Sequence, residues 1–598
     1  MSESSRPIPS VPWQTTGNHW LSLPCIHPAN GAVFALGVLH RGARAAIEFA
    51  GARGFEQGDG APLFRPVVRV DGEVRELASE GIAWERAVGW LPTFTCTLGS
   101  LLLRGTVFAP YGRDADMAGA VYAITIENRG STAHQVEIAL EGVLGHRQQR
   151  VRTPREFDDA HRVVLGDNDT IILEGAAVPG MVAVALGADG AAVREVTPGT
   201  DGAPTFALRR SVTVEPGESV PVAFYLAVGP ERDGACATVG VLRRRGWRTL
   251  LSATREALQA LEQTTGQDAI DRLVNRNLLF SYFYGVGRGL DDAHYYLVRT
   301  RAPWHSLGAT VRDWEALMWT LSAVQLADTA LARELLVRTC ELHGYAPGQG
   351  VHYLDGTLFE PGFAIEGAAA YPLAVDRYIR AADDDQIVEE PVVADTLYVA
   401  NDDLVARRDE RLPLYSTEVS PSGTPVRYPF TLHGNAVVAA ALDVLRRTLD
   451  EEAARDVEDP AAVRAAMQRH FAQDRGGKAH LAAAIDLAGG ADQVDDPAAS
   501  VLWLPLYDAL DRDDSLFRRS VRAVSPDDGG LLRQVARLLG PDGNAVLQWL
   551  RRAPLDQGIA ASVVDADGRA VADGGDAALA GLLASTVWYA VHALGLHE

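Results

Sequence analysis

Residues 353–377 read YLDGTLFEPGFAIEGAAAYPLAVDR, and the second half of this run has the texture of a helix made for burial. Ile365, Ala369, Pro372, Leu373 and Val375 are apolar, and the small residues Gly367, Ala368, Ala369 and Ala370 let a neighbouring helix come close. Yet an acid, Glu366, stands at the mouth of the helix, and a second, Glu360, precedes it among Gly and Pro. A carboxyl placed this way is under opposing influences, since burial disfavours its charge and a helix N-terminus favours it. It either caps its own helix or faces a ligand.

Helices of similar texture lie on both sides. From WRTLLSATREALQALEQ (247–263) onward, apolar residues recur at helical spacing, at 268–285, 313–326, 329–343, 366–381, 389–400, 435–449, 460–473, 478–489, 498–510, 529–540, 543–552 and 576–594. No repeat of fixed period runs through them, which disfavours a solenoid. The loops alternate between short ones and long ones rich in Trp, Tyr, His and acids. One plain end and one functional end is what a closed (α/α)6 barrel of paired helices would show.

The first part of the chain reads differently. VYAITIENRGSTAHQVEIALEGV (121–143) is two β-type runs around the turn residues Asn128-Arg129-Gly130-Ser131. Similar short runs occur at 66–77, 170–175, 181–187 and 220–229, each bounded by Gly, Pro, Asp or Asn. Many short strands with regular turns predict an antiparallel sandwich. The expected organisation is therefore a multidomain β + α chain: an N-terminal antiparallel β-sandwich over 1–232, a linker or joining helix over 233–265, and an (α/α)6 barrel over 266–598.

The 598 residues carry 55 basic against 78 acidic side chains, a net charge of -23. Nucleic acid or an anionic membrane would want a basic surface, so neither is expected as a partner. The first residues show no basic stretch followed by an apolar one, and no apolar run reaches the ~20 residues of a membrane helix. The cysteines Cys25, Cys96, Cys236 and Cys340 lie far apart and suit a reducing compartment, so a cytoplasmic protein is expected. No cofactor is implied. DDAH (291–294) and Asp383-Asp384-Asp385 lack the spacing of a metal site, and GVGRG (285–289) lacks the strand and helix of a phosphate loop.

Three loop-to-helix junctions combine acids with aromatic rings. RAPWHSLGATVRDWEALMW (301–319) holds Arg312, Asp313 and Trp314; the second junction holds Glu360 and Glu366; LPLYSTEVSPSGTPVRYPFTLHGNAVVAAAL (412–442) holds Glu418, His433 and Asn435. Flat rings stack on sugar faces and carboxylates accept from hydroxyls. Glycoside cleavage also uses a protonated carboxyl at the leaving oxygen.

On these residues the helical half resembles the (α/α)6 glycosidase domains of glycogen debranching enzymes, amylo-α-1,6-glucosidases and their processing-glucosidase and trehalase relatives. Arg312-Asp313-Trp314 followed by LSAVQLADTALARELL is similar to that group's G-R-D motif and its continuation. GFAIEGAAAYPLAVDRYIRAADDDQIV (362–388) is similar to its helix led by the general acid, with Glu366 at that place, twelve residues before Tyr378. LHGNAVVAAAL (432–442) is a weaker third match, and puts Glu418 near a sugar-binding acid. The order of sandwich then barrel also recurs among disaccharide phosphorylases. The chain departs from the group in having Glu for Asp at 366, small residues and Tyr371 for tryptophans, and Ser562 where the general base is expected. The resemblance implies an inverting exo-acting glycoside hydrolase on small oligosaccharides or glycosides. Glu366 would be its general acid and Glu418 its base, with Asp565, Asp573 or another acid of 565–576 as the alternative. Arg312, Asp313, Trp314, Glu360, His433 and Asn435 would hold the sugar. A disaccharide phosphorylase and a non-catalytic carbohydrate-binding protein are the other readings, and a homodimer is the one macromolecular partner left open.

Overall fold

The computed structural model describes residues 11–113, 115–152, 154–157, 161–175, 180–198, 203–305, 308–474, 478–524 and 530–597. Residues 1–10, read above for a leader, lie outside these. Three antiparallel sheets form the first part. The eight-stranded sheet runs in the order His161–Gly166, Thr170–Gly175, Val182–Ala188, Ser219–Gly229, Gly119–Asn128, Leu101–Phe108, Leu91–Leu98, Ala83–Ala87. A five-stranded sheet centred on His134–Val143 and a six-stranded sheet of Gln14–Gly17 to Pro154–Glu156 are joined by bridges from Val33 to Ile26 and Phe64.

The turn at Asn128 is present, but it links strands of different sheets. Asn128 Oδ1 accepts from the Gly130 N–H at 2.9 Å, and its amide donates to the carbonyls of Thr132 and Val214 at 2.7 and 3.0 Å. Strand Gly119–Asn128 stays in the eight-stranded sheet, while His134–Val143 crosses to the five-stranded one.

The middle of the eight-stranded sheet is buried on both faces, and its period of two decides what each face meets. In Ser219–Gly229, Val222, Phe224, Leu226 and Val228 enter the core of the β part. Ala223, Tyr225 and Ala227 point the other way, into a core shared with the helices. Two helices follow this strand directly, Arg232–Arg245 and Trp247–Leu261. The first lays Ala235, Cys236, Val239 and Leu242 on the small-residue face of the sheet.

In the second part, six segments pack each against the next, and the last against the first: residues 313–327, Ile365–Ala382, Leu432–Thr448, Val501–Tyr507, Gly530–Arg537 and Ala577–His592. Asp268–Tyr284, Thr329–His343, Pro391–Arg407, Pro460–His470, Ser515–Val521 and Gly543–Arg552 lie against them from outside. Gly581 shows how tight the inner cycle is, because a Cβ there would stand 2.7 Å from the Trp319 carbonyl oxygen.

Two of the expected helices are not helices. The run 478–489 forms the short strands Ala479–Leu481 and Ala484–Ile485, the second pairing with Phe430–Thr431. The run 498–510 contains a 3-10 segment, Val501–Tyr507, interrupted by Pro505. Its seven residues rise only about 14 Å, against about 26 Å for a helix the length of Leu432–Thr448. The cycle therefore has a low wall on one side. Small hairpins, Gln349–His352 with Leu358–Phe363 and Ala561–Val564 with Ala570–Gly575, introduce two of the inner helices.

Candidate active site

Glu366 is completely buried in the first turn of Ile365–Ala382. Its Oε1 lies 3.1 Å from Nδ1 of His433, which is in the first turn of Leu432–Thr448. Its Oε2 has no hydrogen-bond partner among the described residues. Gly434 permits the approach of the two helices, since a Cβ there would stand 3.2 Å from Glu366 Oε1 and 2.5 Å from Thr431 Oγ1. Trp314 and Tyr507 meet the His433 ring edge-on, with centroids at 5.5 and 5.6 Å.

Asp313 begins the neighbouring inner segment, and a Cβ on Gly367 would touch its side chain at 3.6 Å. Burial pushes its carboxyl up to about 7, although the Gly348 N–H, at 2.8 Å, and the Tyr371 hydroxyl favour the charged form. Around the same rim lies a buried ionic network. Arg299 pairs with both Glu315 and Asp576, His305 Nε2 lies 3.1 Å from Asp576, and Arg312 lies 3.7 Å from Glu315. Asp576 also caps Ala577–His592 through the N–H groups of Ala578 and Leu579. Burial works to raise the Asp576 carboxyl, but Arg299 and His305 outweigh it and hold the group far below the usual range.

The first turns thus bring together Asp313, Trp314, Glu366 and His433, with Arg312 beside them. Of the other expected residues, Asn435 shares the first turn of Leu432–Thr448 with His433, and the acids stand elsewhere. Asn435 is buried in structural work: its amide donates to the carbonyls of Tyr415 and Thr431, and its Oδ1 accepts from the Tyr415 N–H at 2.8 Å. Glu360 is 42% exposed and paired with Arg152 of the β part. Glu418 is 54% exposed. The Phe363 N–H and Arg407 bind its two oxygens, and both hold its carboxyl below the usual range. Asp565 accepts from the Arg569 N–H in a hairpin turn, and the Asp573 side chain lies outside the described ones. No group of three His, Cys, Asp or Glu that could hold a metal occurs among the described residues.

The long rim loops cover Glu366. Thr417 Oγ1 accepts from the Ile365 N–H at 3.1 Å, and the N–H groups of Glu418 and Val419 both donate to the Phe363 carbonyl. A cavity of about 550 Å3 opens instead along the axis of the cycle, from a floor of Trp314, His433 and Tyr507 to the last turns of the inner helices. The connections at that end are short, as between Ala327 and Thr329 or Thr448 and Glu451, and leave the axis uncovered. Sequence reasoning passed over Arg377, Trp503 and Trp588 on its walls. The available signal for Arg377 was a charge on the face of Ile365–Ala382 that otherwise reads as apolar.

Comparison with protein-family models finds no match, and comparison with curated proteins finds none either. Solved structures do match. A bacterial glucoamylase complexed with acarbose aligns at a TM-score of 0.61 and 10% identity, over 100% of this chain and 96% of that one. A candidate kojibiose phosphorylase from the human microbiome aligns at a TM-score of 0.58 and 10% identity, over 97% of this chain and 87% of that one. Both are (α/α)6-barrel proteins with an N-terminal β-sandwich, and the resemblance drawn from residues 312–442 points to the same architecture. At this identity the likeness is one of fold.

Proposed function

We propose that the cycle of helices is an (α/α)6 barrel and that the chain is a carbohydrate-active enzyme cleaving a glycosidic bond, with Glu366 as general acid. The observation that carries this reading is the unpartnered Oε2 of a fully buried carboxyl. A buried polar atom left without a partner is costly, and a catalytic role is one reason for such an atom to be kept. In the Nδ1–H tautomer His433 donates to Oε1, which leaves Oε2 as the oxygen that delivers a proton to the leaving glycosidic oxygen as the C–O bond breaks. Trp314 packs against His433 beside it, and Arg312 and Asp313 offer a donor and an acceptor for sugar hydroxyls. The covering of Glu366 by the loop around Thr417 makes opening of that loop part of turnover.

The first reading is hydrolysis with inversion, water being activated by Glu418 once the rim loop has moved. One observation favours a second reading, phosphorolysis, which needs the acid alone. Glu418 is bound at both oxygens, and Asp576 is locked by Arg299 and His305. A screen of aryl glycosides and disaccharides with and without inorganic phosphate, reading product anomers by NMR, separates the two. Hydrolysis gives inverted free sugar in either buffer, and phosphorolysis gives a sugar 1-phosphate only when phosphate is present. Binding of these sugars without turnover under either condition would leave the non-catalytic reading. The four cysteines are unpaired and buried, which suits the cytoplasm, where we place the enzyme.

A further inference from the structure

The axial cavity contains a guanidinium that has no carboxylate partner among the described residues. Arg377 lies eleven residues beyond Glu366 on the same helix, about three turns on and so on the same face. Four arginines line the cavity, and three are taken. Arg380 and Arg447 both pair with Asp376, at 2.8 and 2.9 Å, and Arg464 pairs with Asp443. Arg377 has one hydrogen bond among the described residues, to Ser322 Oγ at 2.9 Å, and no carboxylate accepts from it. Asp508, the remaining acid of the wall, is exposed. Arg377 is half-buried, and burial lowers its pKa, with Tyr507 and Asp376 working against this.

The walls beside this cation are aromatic. Trp319, Trp503, Tyr507, Trp588 and Tyr589 line a volume of about 550 Å3, which suits a mono- or disaccharide, and Trp588 and Tyr589 are the half-exposed rings among them. A planar carboxylate matches the guanidinium fork with two parallel hydrogen bonds. A phosphate dianion would bring its second charge against the paired but still ionic Asp376 and Asp443.

We propose that the axial cavity binds a carboxylate-bearing sugar of the uronate type, its carboxylate on Arg377 and its ring against the tryptophan walls. The carboxylate half of this assignment rests on Arg377, and the sugar half rests on the carbohydrate reading above. The site is set apart from Glu366 by the Trp314–His433–Tyr507 floor, so occupancy is measurable without turnover.

The test is equilibrium binding to the full-length protein, followed by tryptophan fluorescence, with glucuronate, glucose, glucose 6-phosphate and benzoate as probes. Glucuronate is expected to bind about tenfold or more tighter than glucose, as a charge-assisted bidentate pair would provide. Arg377→Gln should abolish that preference and Arg377→Lys should weaken it; the lysine variant, which keeps the charge, carries the test alone if the glutamine variant does not fold. Equal binding of glucose and glucuronate, no binding of either, or an undiminished preference in these variants overturns the proposal. Tighter binding of glucose 6-phosphate overturns the carboxylate half. Benzoate binding as well as glucuronate overturns the sugar half. None of these readouts depends on catalysis, so an inactive Glu366 variant and an empty cavity are separate failures.

Discussion

The Glu366 carboxyl and the His433 imidazole meet at 3.1 Å across two neighbouring helix starts, both side chains almost wholly withdrawn from water. The contact uses one carboxyl oxygen and leaves the other without a partner among the described residues. A capping acid would instead turn to its own helix N–H groups, but neither Glu366 oxygen accepts from one, and the Ile365 N–H goes to Thr417 Oγ1.

Glu366→Gln is nearly isosteric, so near- and far-ultraviolet circular dichroism should be unchanged. Turnover of glycosides with poor leaving groups should fall ~10²–10⁴-fold, the usual contribution of general-acid help. Activated aryl glycosides, which need little protonation, should lose much less. Equal losses for both classes would remove proton donation from the residue's role.

Glu418 separates the two routes of cleavage. If it activates water, Glu418→Ala should lower hydrolysis by about 10² or more, and azide should restore turnover with an inverted glycosyl azide as product. A Glu418→Ala enzyme with native rate, dependent on phosphate, would establish the phosphorolytic route.

Asp313 should write a signature into the pH dependence of stability. Its pKa is about 7 in the folded chain and near 3.8 when unfolded. Between those values the folded chain binds the extra proton, so the group's penalty on stability grows as pH rises from about 4 to about 7 and is complete above. Asp313→Asn has no proton to lose. Its Tm relative to the native chain should climb from about pH 4 to about pH 8, by the equivalent of a few kcal/mol at most. A difference that stays constant across that range would show that the carboxyl titrates normally.

Asp576 joins two charges and a helix cap at one buried point. Asp576→Ala leaves Arg299 with Glu315 alone and uncaps Ala577–His592, and should cost about 3–5 kcal/mol of stability. Calorimetry at neutral pH measures it. A near-native Tm would mean that water enters to solvate Arg299.

Much of the fold was legible in the residues, because burial imposes a period on both halves. Phe64–Val70, which overlaps the run read at 66–77, buries Phe64, Pro66, Val68 and Val70 and turns Arg65, Val67 and Arg69 toward the other face. Helices fail where pairing elsewhere overrides composition: 478–489 is rich in Ala, yet Ala484 and Ile485 are captured by Phe430–Thr431. The site is legible in part. An acid heading an apolar helix marked Glu366, and Trp314 and His433 followed from their places at the next helix starts. Asn435 looked the same from its position, but a buried amide can serve the backbone as well as a sugar, and here it pins the loop at Tyr415. The axial cavity had no sequence sign, since it arises from the shortness of Val501–Tyr507 and from loops too brief to cover an end.

The strand Ser219–Gly229 gives alternate side chains to two cores. That makes the eight-stranded sheet a shared wall. An exchange of the β half for that of another protein would have to reproduce Ala223, Tyr225 and Ala227 on the outer face as well as the inner one. The two halves are therefore not transferable parts. They should melt in one calorimetric transition, and either half expressed alone would carry a bare apolar face and collect in the insoluble fraction.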